Sequence, residues 1–243
     1  MKSPSLARRA GAELFGVYAL VTAGCGAIVV NAMTGALGHI GVAVTFGLVV
    51  AVMIAGTGHL SGAHLNPAVT IAFALTRHFP RHEVPAYVGA QLLGAMGGAC
   101  TLRLLFGTVA SLGATVPAGP AWQSLVLEVL LTAALTFVIT AVATDTRAVG
   151  QLAALAIGFT VLANALWGGP ISGASMNQAR SFGPALISGT WQDQWIYWLG
   201  PLLGATLGAV IYQTLRVPES GPAPALAPTD KPGQPAIQQN TGE

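Results

Sequence analysis

Charge is what this chain has least of. Lys, Arg, Asp and Glu make up 7% of its 243 residues, where an ordinary soluble domain carries about 25%. With 53% of the residues hydrophobic, a soluble fold could not solvate its own surface, so lipid is the expected solvent. The net charge of +2 is too small to recruit nucleic acid. Cysteine is scarce too. Cys25 and Cys100 both fall in apolar segments without metal-ligand spacing and read as buried free thiols. His59 and His64 are five apart and do not share a helical face, which argues against a metal pair. The glycines of 94–98 lack a following Lys-Ser or Lys-Thr, so a phosphate cradle is unsupported. Gly-x-Ser-x-Gly, His-Glu-x-x-His and paired catalytic carboxylates are missing as well. An enzyme is therefore not expected, and neither is a metal or a cofactor.

What is present is apolar length. Six stretches near 10–32, 38–58, 84–106, 121–143, 148–167 and 192–215 each approach the roughly 20 residues a bilayer requires. Two shorter apolar pieces begin at Asn66 and Asn177 and run about 11–13 residues, too short to cross but suited to re-entrant half-helices. Residues 1–9 are basic and lead straight into the first stretch, as the flank of a spanning helix rather than a cleaved signal. Residues 217–243 collect Pro, Ala, Gln and Gly without period and read as a disordered cytoplasmic tail. Trp191, Trp195, Tyr197 and Trp198 at one end of the last span fit an interfacial aromatic belt.

The half-helices open on related phrases. Ser61-Gly62-Ala63-His64-Leu65-Asn66-Pro67-Ala68-Val69-Thr70 is answered 111 residues later by Ser172-Gly173-Ala174-Ser175-Met176-Asn177-Gln178-Ala179-Arg180-Ser181. Glu13 answers Glu128, and Gln91-Leu92-Leu93-Gly94-Ala95 answers Pro201-Leu202-Leu203-Gly204-Ala205. With three spans per half, the second copy lies upside down, and both half-helices aim their N-termini at the centre. Broken backbone inside a bilayer is tolerated only where it lines a cavity. Gly16, Gly94 and Gly204 are placed to permit close helix crossings.

Lys and Arg set the orientation. Lys2, Arg8, Arg9, Arg77, Arg81, Arg147 and Arg216 fall on one side, whereas the connections near 31–38 and 107–121 carry no charge. Both termini are then cytoplasmic, in the plasma (inner) membrane. Arg103 departs from this rule and is expected to snorkel.

The residues at 66–69, the Asn-x-Ala-Arg-Ser-Phe-Gly-Pro-Ala run at 177–185 and the paired glutamates resemble the aquaporin (major intrinsic protein) family over about 8–216. The resemblance implies an all-α membrane protein of six transmembrane helices and two half-helices in an inverted repeat, one channel domain over 1–216 with repeats at about 8–107 and 120–216. It implies a homotetramer in the bilayer, with water and small neutral solutes as the partners of the pore. The pore centre would hold Asn66, Pro67, Ala68, Asn177, Gln178 and Ala179. The selectivity filter would be Phe46, Ala165, Ala174 and Arg180. A ladder of pore-lining carbonyls would come from Gly62, Ala63, His64, Leu65, Gly173, Ala174, Ser175 and Met176. Glu13 and Glu128 would accept backbone N–H bonds from the loops, and His64 would hydrogen-bond in the cytoplasmic vestibule.

Gln178 departs from the family pattern, which usually has Pro. Gln adds an N–H and a flexible amide and gives up ring packing against Pro67, so modest local loosening is expected. At 165 a methyl group stands where water-strict members carry His, which widens the filter. Ser181, Ala185, Tyr197 and Trp198 match the water-type pattern instead. The resulting reading is a water-type channel of prokaryotic kind that excludes protons and ions. A broader facilitator of ammonia, hydrogen peroxide, urea or glycerol is the first alternative. A coupled secondary carrier is the second, although such a carrier normally needs titratable groups at its substrate site.

Overall fold

The computed structural model describes residues 4–144 and 152–216. The expectations for Lys2, Arg147 and the tail 217–243 lie outside the described residues, as does the start of the fifth span at 148. Ser5 opens the first helix, its hydroxyl accepting the N–H of Arg8. That helix, α1 (Leu6–Leu20), continues through a π-helical turn at Val21–Cys25 into α2 (Gly26–Thr34), and together they form one apolar span. The other long helices are α3 (Gly38–Ser61), α5 (Val84–Phe106), α6 (Ala121–Thr144), α7 (Ala153–Ser172) and α9 (Gln194–Leu215). Among the described residues, six helices are long and apolar enough to cross a membrane. Two short helices lie between them, α4 (Pro67–Leu75) and α8 (Gln178–Ser188). The 9 residues of α4 rise only about 14 Å at 1.5 Å per residue, under half of a hydrocarbon core of about 30 Å.

The two halves pack alike. α1 lies along α5 and α6 along α9, while α3 of the first half meets α7 of the second. Close approach depends on missing side chains. A Cβ on Gly94 would collide with the Leu14 carbonyl, and one on Gly204 with the Val129 carbonyl. At the α3–α7 crossing, a Cβ on Gly47 would stand 2.7 Å from the Gly158 carbonyl oxygen. The outer surface stays apolar, with Leu104 86%, Ile40 69% and Trp122 67% exposed, as lipid contact requires.

Several expectations change. The fifth helix runs to Ser172 rather than stopping at 167, because Gly168-Gly169-Pro170 does not break it. Pro170 cannot donate to the carbonyl of Leu166, and the His39 Nε2–H donates to that oxygen instead, at 2.7 Å. The first half-helix is shorter than 11–13 residues, because Arg77 turns left-handed (φ 65°) ahead of Pro80. Tyr197 belongs to the core rather than an aromatic belt: it is fully buried, and its hydroxyl donates to the Ser172 carbonyl. Cys25 is buried but Cys100 is exposed. Arg103 does more than snorkel. Its Nη1 donates to the Ile187 carbonyl at 2.6 Å, in the last turn of α8, where a cation complements the helix dipole.

Candidate functional site

Each half-helix is preceded by a loop in strained backbone. Gly62 and Gly173 end α3 and α7 with φ of 86° and 82°. Beyond them, Ala63 (47°), Leu65 (50°), Ala174 (41°) and Met176 (54°) all adopt left-handed φ, at a cost of about 1–2 kcal/mol each. A buried carboxyl group holds each loop in this course. Glu13 accepts hydrogen bonds from the His64 and Leu65 N–H groups, the Ser61 hydroxyl and Gln91 Nε2, at 2.7–2.9 Å. Glu128 accepts from the Ser175 and Met176 N–H groups and the Ser172 hydroxyl, at 2.7–2.8 Å. Loop donors with no helical partner are thereby satisfied where water is excluded.

Asn66 and Asn177 stand at the two N-termini in extended backbone (φ −159° and −156°). The Asn66 Oδ1 accepts the Ala68 N–H, and the Asn177 Oδ1 accepts those of Ala179 and Arg180. Each side chain also reaches across the pseudo-twofold. Asn66 Nδ2 donates to the Met176 carbonyl at 2.7 Å and Asn177 Nδ2 to the Leu65 carbonyl at 2.8 Å. A carboxamide NH2 has two hydrogens, so each Asn keeps one donor beyond this exchange. The carbonyls of Leu65 and Met176 each use one lone pair on the Asn pair and keep a second.

A cavity of about 170 Å³ runs beside this junction, room for several waters and no large ligand. Asn66, Asn177, Phe46, Ala165, Ala174 and Arg180 all line it, as do Gly62, Ala63, His64, Leu65, Ser175 and Met176. Gly173 does not; it packs against Thr115. Pro67, Ala68, Gln178 and Ala179 are buried and do not line this cavity. At one end, the Arg180 guanidinium carbon lies 4.9 Å from the centre of the Phe46 ring, and Nη1 donates to the Gly113 carbonyl at 2.8 Å. Ala165 and Ala174 contribute only methyl groups there.

At the other end, His64 Nδ1 lies 3.1 Å from the Thr70 hydroxyl, with the ring enclosed by Phe73, Phe79 and Tyr87. Sequence reasoning missed the supporting polar groups. Gln91 links Glu13 to Thr70. Thr115, Ser181 and Ser175 form a hydroxyl chain beneath Arg180. Tyr87 donates to the Ser61 carbonyl as Tyr197 does to Ser172. That last pair had a signal in the sequence, since the two tyrosines are 110 apart, in step with the repeat.

Comparison with protein families matches the description "Major intrinsic protein" over residues 1–212. Aquaporin NIP1-1 of Oryza sativa subsp. japonica is 54% identical over 207 residues, covering 84% of this chain and 73% of its own length. Nodulin-26 of Glycine max is 51% identical over 207 residues, covering 84% and 76%. The X-ray structure of the aquaglyceroporin from Plasmodium falciparum superposes with a TM-score of 0.76 at 27% identity, over 86% of this chain and 95% of that one. A six-span, two-half-helix inverted repeat with Asn at both internal helix starts, matched over nearly its whole described length, is an integral multi-pass membrane protein, and the chain belongs to the major intrinsic protein family of aquaporin channels.

Proposed function

We propose that this protein is a passive channel for water and small uncharged solutes that excludes protons and ions. The observation that carries the reading is the reciprocal exchange between Asn66 and Asn177 where two helix N-termini meet. Each N-terminus carries the equivalent of about half a positive charge. A water at the junction gives its oxygen to the Asn amides and cannot keep a one-way hydrogen-bond chain, while the positive field repels hydronium and other cations. Arg180, over Phe46, adds a fixed cation at one mouth. A coupled carrier is disfavoured, because no Asp, Glu or Lys lines the cavity among the described residues.

The solute range is read as wider than water. The side of the constriction facing Phe46 and Arg180 is lined by the methyl groups of Ala165 and Ala174, so ammonia and hydrogen peroxide should pass. Urea and glycerol are the size limits to probe. A fold neighbour named an aquaglyceroporin favours the same direction. The Lys and Arg distribution supports cytoplasmic termini, and the family supports a tetramer with one pore per subunit. Stopped-flow shrinkage of proteoliposomes in sucrose, then in urea and glycerol, tests the reading. Water flux well above that of protein-free vesicles, without a comparable proton current, is expected; a proton current matching the water flux overturns it.

A further inference from the structure

At the junction of the half-helices, the Gln178 side chain hydrogen-bonds both the opposite half-helix and a neighbouring span. It is buried, at 2% exposure. Its Oε1 accepts the Ala68 N–H at 2.9 Å, in the first turn of α4, and its Nε2 donates to the Trp198 carbonyl of α9 at 3.3 Å. The Ala68 N–H is shared at equal distance with Asn66 Oδ1. On the other side, the Ala179 N–H goes to Asn177 Oδ1, which also takes the Arg180 N–H. Asn66 is therefore held by part of one backbone donor and Asn177 by two.

The repeats explain why a glutamine can stand here. In the first half, Pro67 opens the half-helix and Gln91 on α5 reaches Thr70 of α4. In the second half the types are exchanged: Gln178 opens the half-helix, and the position answering Gln91 is Pro201 on α9. Each half thus keeps one amide tie between its half-helix and its third span, made from opposite ends. Pro201 also removes one N–H from its turn of α9, next to the carbonyl that Gln178 uses. The amide is not loose filler where a proline ring is absent.

We propose that Gln178 is a positioning residue of the pore: by joining the Ala68 N–H to the Trp198 carbonyl, it fixes the separation of the two half-helix N-termini and so the bore between Asn66 and Asn177. The inference rests on the channel reading above. It is tested by comparing Gln178→Leu, Gln178→Pro and Gln178→Glu with wild type in proteoliposomes, measuring the ratio of urea permeability to water permeability. Leu fills similar volume without either bond, and Pro is compatible with a first helical position. Both should raise the ratio by about fivefold, the factor one net hydrogen bond commonly represents. Glu keeps an acceptor for the Ala68 N–H at the positive end of α4 but, ionised, has no donor for the Trp198 carbonyl, so it too breaks the bridge and should raise the ratio. A Leu, Pro or Glu variant that conducts water with an unchanged ratio overturns the proposal. Absence of water flux in wild type would instead overturn the channel reading itself.

Discussion

The loop ending at Asn66 and the loop ending at Asn177 trace the same backbone. Gly62 and Gly173 turn out of their helices, and Ala63 and Leu65 mirror Ala174 and Met176 in left-handed φ. Glu13 and Glu128 anchor them with matched bonds. Their surroundings differ. The first loop faces an enclosed imidazole between Phe73, Phe79 and Tyr87. The second faces hydroxyls and the Arg180 guanidinium. The carboxyl groups that satisfy loop donors away from the cavity and the Asn pair on it are shared by both halves, whereas His64 and Arg180, which also line the cavity, have no counterpart of their own type.

Breaking a shared support should have the largest effect. Glu128→Leu leaves the Ser175 and Met176 N–H groups and the Ser172 hydroxyl without acceptors, at about 1–3 kcal/mol each. A large drop in the melting temperature in detergent and loss of water flux are expected, with Glu13→Leu behaving alike. Water flux retained in one variant and lost in the other would break the equivalence of the halves.

Changing an unshared residue should alter selectivity and leave folding intact. Arg180→Ala removes the cation over Phe46 and its bond to the Gly113 carbonyl. Urea and proton permeability should both rise, by about tenfold for a barrier change near 1.4 kcal/mol, while water flux persists. Unchanged selectivity would place the barrier wholly at the Asn pair. Ala165→His adds an imidazole to the methyl-lined side, so urea flux should fall while water flux survives, measured on the same vesicles. The smallest effect is expected from His64→Leu. It forfeits one bond to Thr70 within the loop and the half-helix it leads into, worth about 0.5–1.5 kcal/mol, and water flux should stay within about twofold.

The spans were legible because lipid demands long apolar runs, and the half-helices because Asn caps are rare inside such runs. Errors came where the partner of a residue lies far along the chain. The fifth helix outruns its expected end at 167, and the Leu166 carbonyl that Pro170 leaves free is met by His39 from a different helix. Tyr197 looked interfacial beside three tryptophans until Ser172 supplied its acceptor. Gln178 looked like a loosened proline position, since nothing local showed that Ala68 and Trp198 would meet its amide.

From sequence alone came the solvent, the number of crossings, the inverted repeat and the two Asn positions, all consequences of local composition and spacing. Tertiary structure alone decided which oxygens the loop amides reach, that Asn66 pairs with the Met176 carbonyl and Asn177 with that of Leu65, and that Gln178 bridges a half-helix to a span. Hydropathy is additive along a chain, so it can be read locally. A hydrogen bond is a statement about two groups, and in a medium without water each buried donor must find an acceptor wherever the fold brings one within about 3 Å.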